Sequence, residues 1–129
     1  MPDAHVAWPT EIKVQENGRL LKVSFDDGAS FDLPAELLRV TSPSAEVQGH
    51  SRKERKIVAG KRNVAIVAVD PIGSYAVKLG FDDGHNTGIF TWSYLYELGS
   101  SQASRWTAYV DELEANGLSR DQFGERRAE

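Results

Sequence analysis

One four-residue phrase occurs twice in this chain: Phe25-Asp26-Asp27-Gly28 and Phe81-Asp82-Asp83-Gly84. An Asp-Gly pair that follows an alternating apolar stretch is a hairpin signal. Glycine accepts the positive φ of a tight turn, and aspartate can bond its own backbone. Leu21, Val23 and Phe25 alternate with polar residues before the first copy, and Tyr75, Val77, Leu79 and Phe81 do so before the second. Each copy is followed by a second short strand signal, Phe31 with Leu33 or Ile89 with Phe90, and then by a helix-like segment. The chain therefore reads as two β-turn-β-helix units, matched with an offset of two residues after the turn. Shared hairpin grammar explains this match about as well as gene duplication does. The copies differ chemically, because the second continues His85-Asn86-Thr87-Gly88 where the first continues Ala29-Ser30.

The remaining segments fill in an α+β fold. Residues 11–15 read as a strand closed by the Asn17-Gly18 turn, which completes a three-stranded meander. Pro34 opens a helix with Leu37, Leu38 and Val40 on its apolar side. Ser42-Pro43 signals a further short helical turn over Ser44–Val47, ended by Gly49. Ile57-Val58 reads as a short strand. Asn63–Asp70 reads as a longer one, then Pro71-Ile72-Gly73 as a turn and Ser74–Asp82 as the next strand. Trp92–Leu98 forms a helix that Gly99 stops. Trp106, Tyr109, Val110 and Leu113 have the spacing of an amphipathic helix, capped by Ser101 or Ser104 and stopped by Asn116-Gly117. The expected fold is short antiparallel hairpins and meanders with short helices and a C-terminal amphipathic helix. A loose leader is expected over 1–8, one domain over 9–117 and a flexible charged tail over 118–129.

Composition removes several functions. With 129 residues and 40% hydrophobic content, one self-sufficient core is the expectation. The absence of cysteine excludes disulfides, thiolate metal sites, cysteine-ligated iron–sulfur clusters and cysteine nucleophiles within the chain. Neither a signal peptide nor an apolar run of about 20 residues is present, so a cytoplasmic location is expected. The net charge of −4 argues against general nucleic-acid binding. Charge is uneven, however: residues 52–62 carry +5 through Arg52, Lys53, Arg55, Lys56, Lys61 and Arg62 against Glu54. Such a stretch is either a solvated guard against aggregation or an anion or partner site.

Two histidines carry the candidate chemistry. His85 follows a rigid Asp-Gly turn, with Asp82 and Asp83 nearby to fix its tautomer and raise its basicity. That arrangement suits a metal ligand or proton carrier, or a histidine that only satisfies turn hydrogen bonds. His50 has i, i+4 spacing with Glu46, a ligand pair if the turn were helical, although Gly49 interrupts it. Phosphate-binding loops, dinucleotide fingerprints, nucleophile elbows and paired-histidine metal helices are missing. Phe90, Trp92, Tyr94, Tyr96, Trp106 and Tyr109 have the spacing of core and helix-docking residues.

Leu33–Val40, Ser42–His50, Gly60-Lys61-Arg62-Asn63-Val64 and the stretch from Phe81 to Trp92 together resemble the DUF971 family, the gamma-butyrobetaine hydroxylase-like N-terminal domain, in a stand-alone bacterial form. The resemblance spans roughly residues 9–117. It implies a small α+β domain that, in the hydroxylases, precedes a 2-oxoglutarate-dependent catalytic domain and carries zinc on three cysteines and one histidine. His85 matches that histidine. The cysteine-bearing loop should fall near Thr41–Gly49, where this chain has Ser42, Ser44 and Glu46, so the zinc site is not carried over. What the residues allow is a weaker nitrogen–oxygen site for zinc or iron on His85, His50 and Glu46. Similar domains appended to P-loop ATPases that scaffold iron–sulfur clusters imply a link to metal-cofactor metabolism. The leading functional expectation is a non-catalytic binding or accessory module with a protein partner. The alternatives are a metal-dependent oxidoreductase in which His85 and His50 hold iron, and anion or nucleic-acid binding through Arg52–Arg62.

Overall fold

The structure, a computed structural model, describes residues 7–43, 59–86 and 88–121. Its elements are β1 (Pro9–Gln15), β2 (Leu20–Phe25), β3 (Ser30–Pro34), α1 (Ala35–Val40), β4 (Ile66–Ile72), β5 (Ala76–Phe81), β6 (Gly88–Thr91), α2 (Trp92–Ser100) and α3 (Gln102–Ala115). The strands make two three-stranded antiparallel sheets, each in sequential order. The fold is α+β, with the expected meanders and C-terminal helix. The helical turn over Ser44–Val47 and the strand at Ile57-Val58 lie outside the described residues.

The two units match bond for bond. At the first turn, the Phe25 N–H donates to the Ala29 carbonyl (2.8 Å) and the Gly28 N–H to the Phe25 carbonyl (3.1 Å). At the second, Phe81 donates to His85 (2.9 Å) and Gly84 to Phe81 (3.0 Å). Gly28 and Gly84 have φ of 94° and 92°, the left-handed geometry that makes glycine the favoured residue there. The Asp27 and Asp83 carboxylates accept from the N–H two residues on, and Asp26 and Asp82 accept from Trp8 and Ala65. Strands β1 and β4 each shift register near their start, between Pro9 and Glu11 and between Ile66 and Ala68. Each helix then begins with an N–H bonded to the residue preceding its unit's central strand: Ala35 to Arg19 and Trp92 to Tyr75. From turn glycine to first helical residue, the second unit (Gly84 to Trp92) is one residue longer than the first (Gly28 to Ala35), so the offset is one residue rather than two.

The units also clasp each other reciprocally. Arg39, fifth residue of α1, reaches Asp83 of the second turn; Tyr96, fifth residue of α2, reaches Asp27 of the first. A Cβ on Gly99 of α2 would collide with the Phe31 ring of β3, and one on Gly88 of β6 would collide with Ser42 Oγ beyond α1. Contacts of i with j matched by the equivalents of j with i are the pattern of an isologous pair, here within one chain. Between the units lies one shared core. Leu21, Val23, Phe25, Leu33 and Leu38 come from the first unit, and Val77, Leu79, Phe81, Phe90 and Leu95 from the second. At about 1.5–3 kcal/mol for each large apolar side chain buried, this cluster is the main source of stability.

Three local expectations are corrected. Strand β4 begins at Ile66 rather than Asn63 and runs through Pro71, which pairs opposite Val77. Proline is tolerated because β4 is an edge strand. Gly99 does not stop α2, which continues to Ser100; the glycine makes room for Phe31. Neither serine side chain caps α3: Ser101 Oγ donates to the Glu97 carbonyl and Ser104 Oγ to the Ser101 carbonyl. The Asn116-Gly117 stop is a full Schellman motif, with Leu118 N–H on the Leu113 carbonyl, Gly117 N–H on Glu114 and φ of 67° at Gly117.

Gly99→Ala tests the close approach of the units. Driving a methyl group into the Phe31 ring is expected to cost about 1–3 kcal/mol in urea unfolding, partly recovered by Phe31→Leu in the same chain. A loss within about 0.5 kcal/mol, the scale of ordinary surface changes, would show that the ring moves aside freely.

Candidate functional site

The second turn brings together the chemistry-bearing side chains. Asp83 is its hub. Oδ2 accepts from Lys61 Nζ at 2.6 Å and Arg39 Nε at 2.8 Å, while Oδ1 accepts the His85 backbone N–H at 3.1 Å. The side chains of Asp83, Lys61 and Arg39 are only 11–13% exposed, so these are charge-assisted bonds in a poorly solvated place. Burial opposes ionisation of Asp83. The hydrogen bonds from Lys61, His85 and Arg39, with the Arg39 charge, outweigh it and hold its pKa down to about 2. Arg39 Nη1 is buried and finds no hydrogen-bond acceptor.

His85 is buried beside this hub. Its Nε2 lies 3.0 Å from Ser42 Oγ, and its ring is tilted against Phe81 with centroids 6.2 Å apart. Ser42, fully buried, sits against Gly88. The sequence places a carboxylate beside the imidazole, whereas the Asp83 carboxylate meets the His85 backbone. The equivalent crevice of the first unit is filled by rings. Phe25, Phe31 and Tyr96 meet edge-on, with centroids 5.0–6.0 Å apart. One fold element thus appears in two chemistries, an aromatic lock at the first turn and a polar cluster at the second.

Of the residues singled out from sequence, the structure brings together His85 and Lys61 through Asp83. Arg62 is directed elsewhere, onto the Asp121 carboxylate. Glu46, His50, Arg52, Lys53, Arg55 and Lys56 lie outside the described residues. Among the described residues, no three His, Asp or Glu side chains converge in a metal-holding group. An imidazole facing a neutral serine hydroxyl does not supply the charged sulfur donors of a thiolate zinc centre. The described residues therefore do not fit that centre. No helix among them is long and apolar enough to cross a membrane.

Beside the hub opens a cleft of about 350 Å3, lined by Gly60, Lys61, Asn63, Val64, Asp82, Asp83, Arg120 and Asp121. Its far wall leads to a second buried ionic group that sequence reading missed. Glu36 of α1 is 5% exposed. It accepts Arg120 Nε at 2.7 Å and Nη2 at 2.8 Å, and the Tyr109 hydroxyl at 2.6 Å. Burial and the Glu36 carboxylate push the Tyr109 phenol well above its usual range. The available signal was a glutamate among apolar neighbours in α1, whose other buried residues are Ala35, Leu37, Leu38 and Val40. Residues 118–121, assigned from sequence to a charged tail, are tied to 60–62 by backbone bonds, Gly60 N–H to Ser119 and Arg62 N–H to Arg120.

The gamma-butyrobetaine hydroxylase-like, N-terminal family model matches residues 12–96. The chain belongs to this family. A crystal structure of a protein of unknown function in the DUF971 family, from Acidithiobacillus ferrooxidans, is 45% identical with a TM-score of 0.59, covering 70% of this chain and 91% of that one. Two proteins solved by solution NMR are 47% and 43% identical, each with a TM-score of 0.79. The first covers 91% of this chain and 92% of its own, the second 100% and 96%. No curated protein matches the sequence. The family match takes in the Asp83–His85 turn and Glu36 but ends before α3, so Tyr109 and Arg120 lie beyond the matched residues.

Asp83→Asn is expected to destabilise the domain by about 3 kcal/mol, since Lys61 and Arg39 lose their shared anion in a largely buried site. The native pKa of about 2 lies below the ordinary 3.8. Asp83 therefore contributes fully above about pH 4 and progressively loses that contribution as the pH falls toward 2. Urea midpoints from pH 5 to pH 2 should fall less steeply in Asp83→Asn than in the parent.

Proposed function

We propose that the chain is a non-catalytic binding module of the gamma-butyrobetaine hydroxylase-like N-terminal family, acting on a protein partner in metal-cofactor or iron–sulfur metabolism. The observation that carries this reading is the asymmetry between the two units. The first turn is sealed by aromatic rings, whereas the same position in the second holds Asp83, Lys61, Arg39, Ser42 and His85 beside a cleft. Polar groups retained where an apolar solution exists in the same fold mark the functional half, because burying them costs stability. The hub groups are spent on one another: Asp83 is held ionised by two cations, and His85 Nε2 faces a hydroxyl. This suits a rigid recognition face better than an acid–base pair in turnover.

The test places a photo-crosslinking residue at exposed Asn86, beside the turn, and at exposed Lys13 on β1 as a control. A discrete partner captured from position 86 and not from position 13, and lost with His85→Ala, is expected. Metal analysis of untagged protein prepared without oxygen accompanies it. Consumption of 2-oxoglutarate with ferrous iron, or stoichiometric metal lost on His85→Ala, would replace this reading with a metal-centred one.

A further inference from the structure

Glu36 poses a chemical demand that, among the described residues, is met by a direct ion pair with Arg120. It is a buried carboxylate in a helix otherwise turned to the core, and such a group is strongly unfavourable without a cation. The geometry of that pair is selective for guanidinium. Two parallel N–H···O bonds at 2.7 and 2.8 Å form a fork on the carboxylate, which an ammonium cannot make. The guanidinium lies 4.9 Å from the centre of the Trp106 ring, a cation–π contact. Tyr109 completes the pocket by donating to Glu36 Oε2 while packing edge-on against Trp106.

The way Arg120 arrives is equally specific. Past the Schellman stop of α3, the chain runs beside residues 60–62. The backbone N–H groups of Gly60 and Arg62, two residues apart, donate to the carbonyls of Ser119 and Arg120 at 2.8 and 2.9 Å. Arg120 and Asp121 lie in a turn, so two backbone hydrogen bonds hold the segment while the side-chain pocket selects its arginine. The bound segment borders the open cleft, and the Arg120 side chain is 27% exposed.

We infer that the Glu36–Trp106–Tyr109 pocket is a receptor for an arginine on a peptide segment, filled in cis by Arg120 and open by exchange to an arginine-bearing segment of a partner protein. It goes beyond the reading of the His85 face and uses different residues. An intramolecular occupant at high effective concentration keeps the pocket closed until a partner segment competes for it.

The test uses the full chain carrying Arg120→Ala and a peptide of residues 118–124, followed by thermal denaturation and direct titration. The variant should melt lower than the parent and regain its midpoint saturably with the peptide. A peptide with lysine in place of Arg120 should bind at least tenfold more weakly. Adding Glu36→Gln to the variant should abolish the rescue, and the parent should bind the arginine peptide at least tenfold more weakly than Arg120→Ala does, because its own arginine competes. Should Arg120→Ala fail to fold, Arg120→Lys retains a cation and takes the same titration. Absence of saturable binding, equal binding of both peptides, or rescue that survives Glu36→Gln would each overturn the proposal and leave Arg120 a structural ion pair.

Discussion

Everything in this molecule hangs on the crossing of two tight turns by two helices. Each Asp-Asp-Gly turn is held by a side chain from the opposite unit, Tyr96 on Asp27 and Arg39 on Asp83. Neither unit alone offers more than a three-stranded meander and a short helix, an assembly that exposes one apolar face. Crossing brings those faces together over one core, where Leu21, Val23 and Phe25 oppose the strands that carry Val77, Leu79 and Phe81. Two of the glycines that face the opposite unit follow from the same constraint: Phe31 fits only because position 99 has no side chain, and Ser42 only because position 88 has none.

The departures from that internal symmetry locate the chemistry. At the first turn the crossing is an exposed phenol–carboxylate bond backed by aromatic edges, each worth about 0.5–1.5 kcal/mol beyond burial. At the second it is a carboxylate shared by an arginine and a lysine in a largely dry place, with a buried histidine bonded to a buried serine. A charged hub of this kind is intolerant of losing any one member, because the remaining charges stay buried. It fixes the Lys61 segment against the turn and so helps to shape the cleft that both line. The third helix and the segment after it are an addition to the paired units, and they too end in a buried ion pair, Arg120 on Glu36, whose partner residues lie far apart in sequence. Both ionic groups flank the same cleft.

Much of this was legible from the chain alone. Turn chemistry and period-two alternation gave β2, β3, β5 and β6 nearly to their ends, because Asp-Gly pairs and alternating apolar residues act locally. The helix from Trp106 to Leu113 and its Asn116-Gly117 stop are equally local. Boundaries failed where tertiary contact overrode local grammar. Pro71 belongs to a strand because that strand is at an edge, and Gly99 belongs to a helix because a ring lies across it. The candidate site was half visible. His85 stood out as the odd residue in a repeated phrase, and the family resemblance set the loop that begins at Ser42 beside it, but Arg39 gave no sign of joining them, since its distance in sequence hides that α1 crosses over the second turn. Glu36 and Arg120 were missed for the same reason, and the charged composition of residues 118–129 read as a solvated tail.

The sequence by itself determined the repeated unit, the identity of the residue that breaks the repeat, and the family, because turn residues, apolar periodicity and motif order are written along the chain. It also determined that no thiolate centre can form within the chain, since there is no cysteine to make one. Only the tertiary structure decided which charges neutralise which. A carboxylate such as Asp83 or Glu36 can be a solvated ornament or a buried hub with the same neighbours in sequence. Its surroundings are set by side chains 22 to 84 residues away, and burial decides whether a charge must find a partner at all.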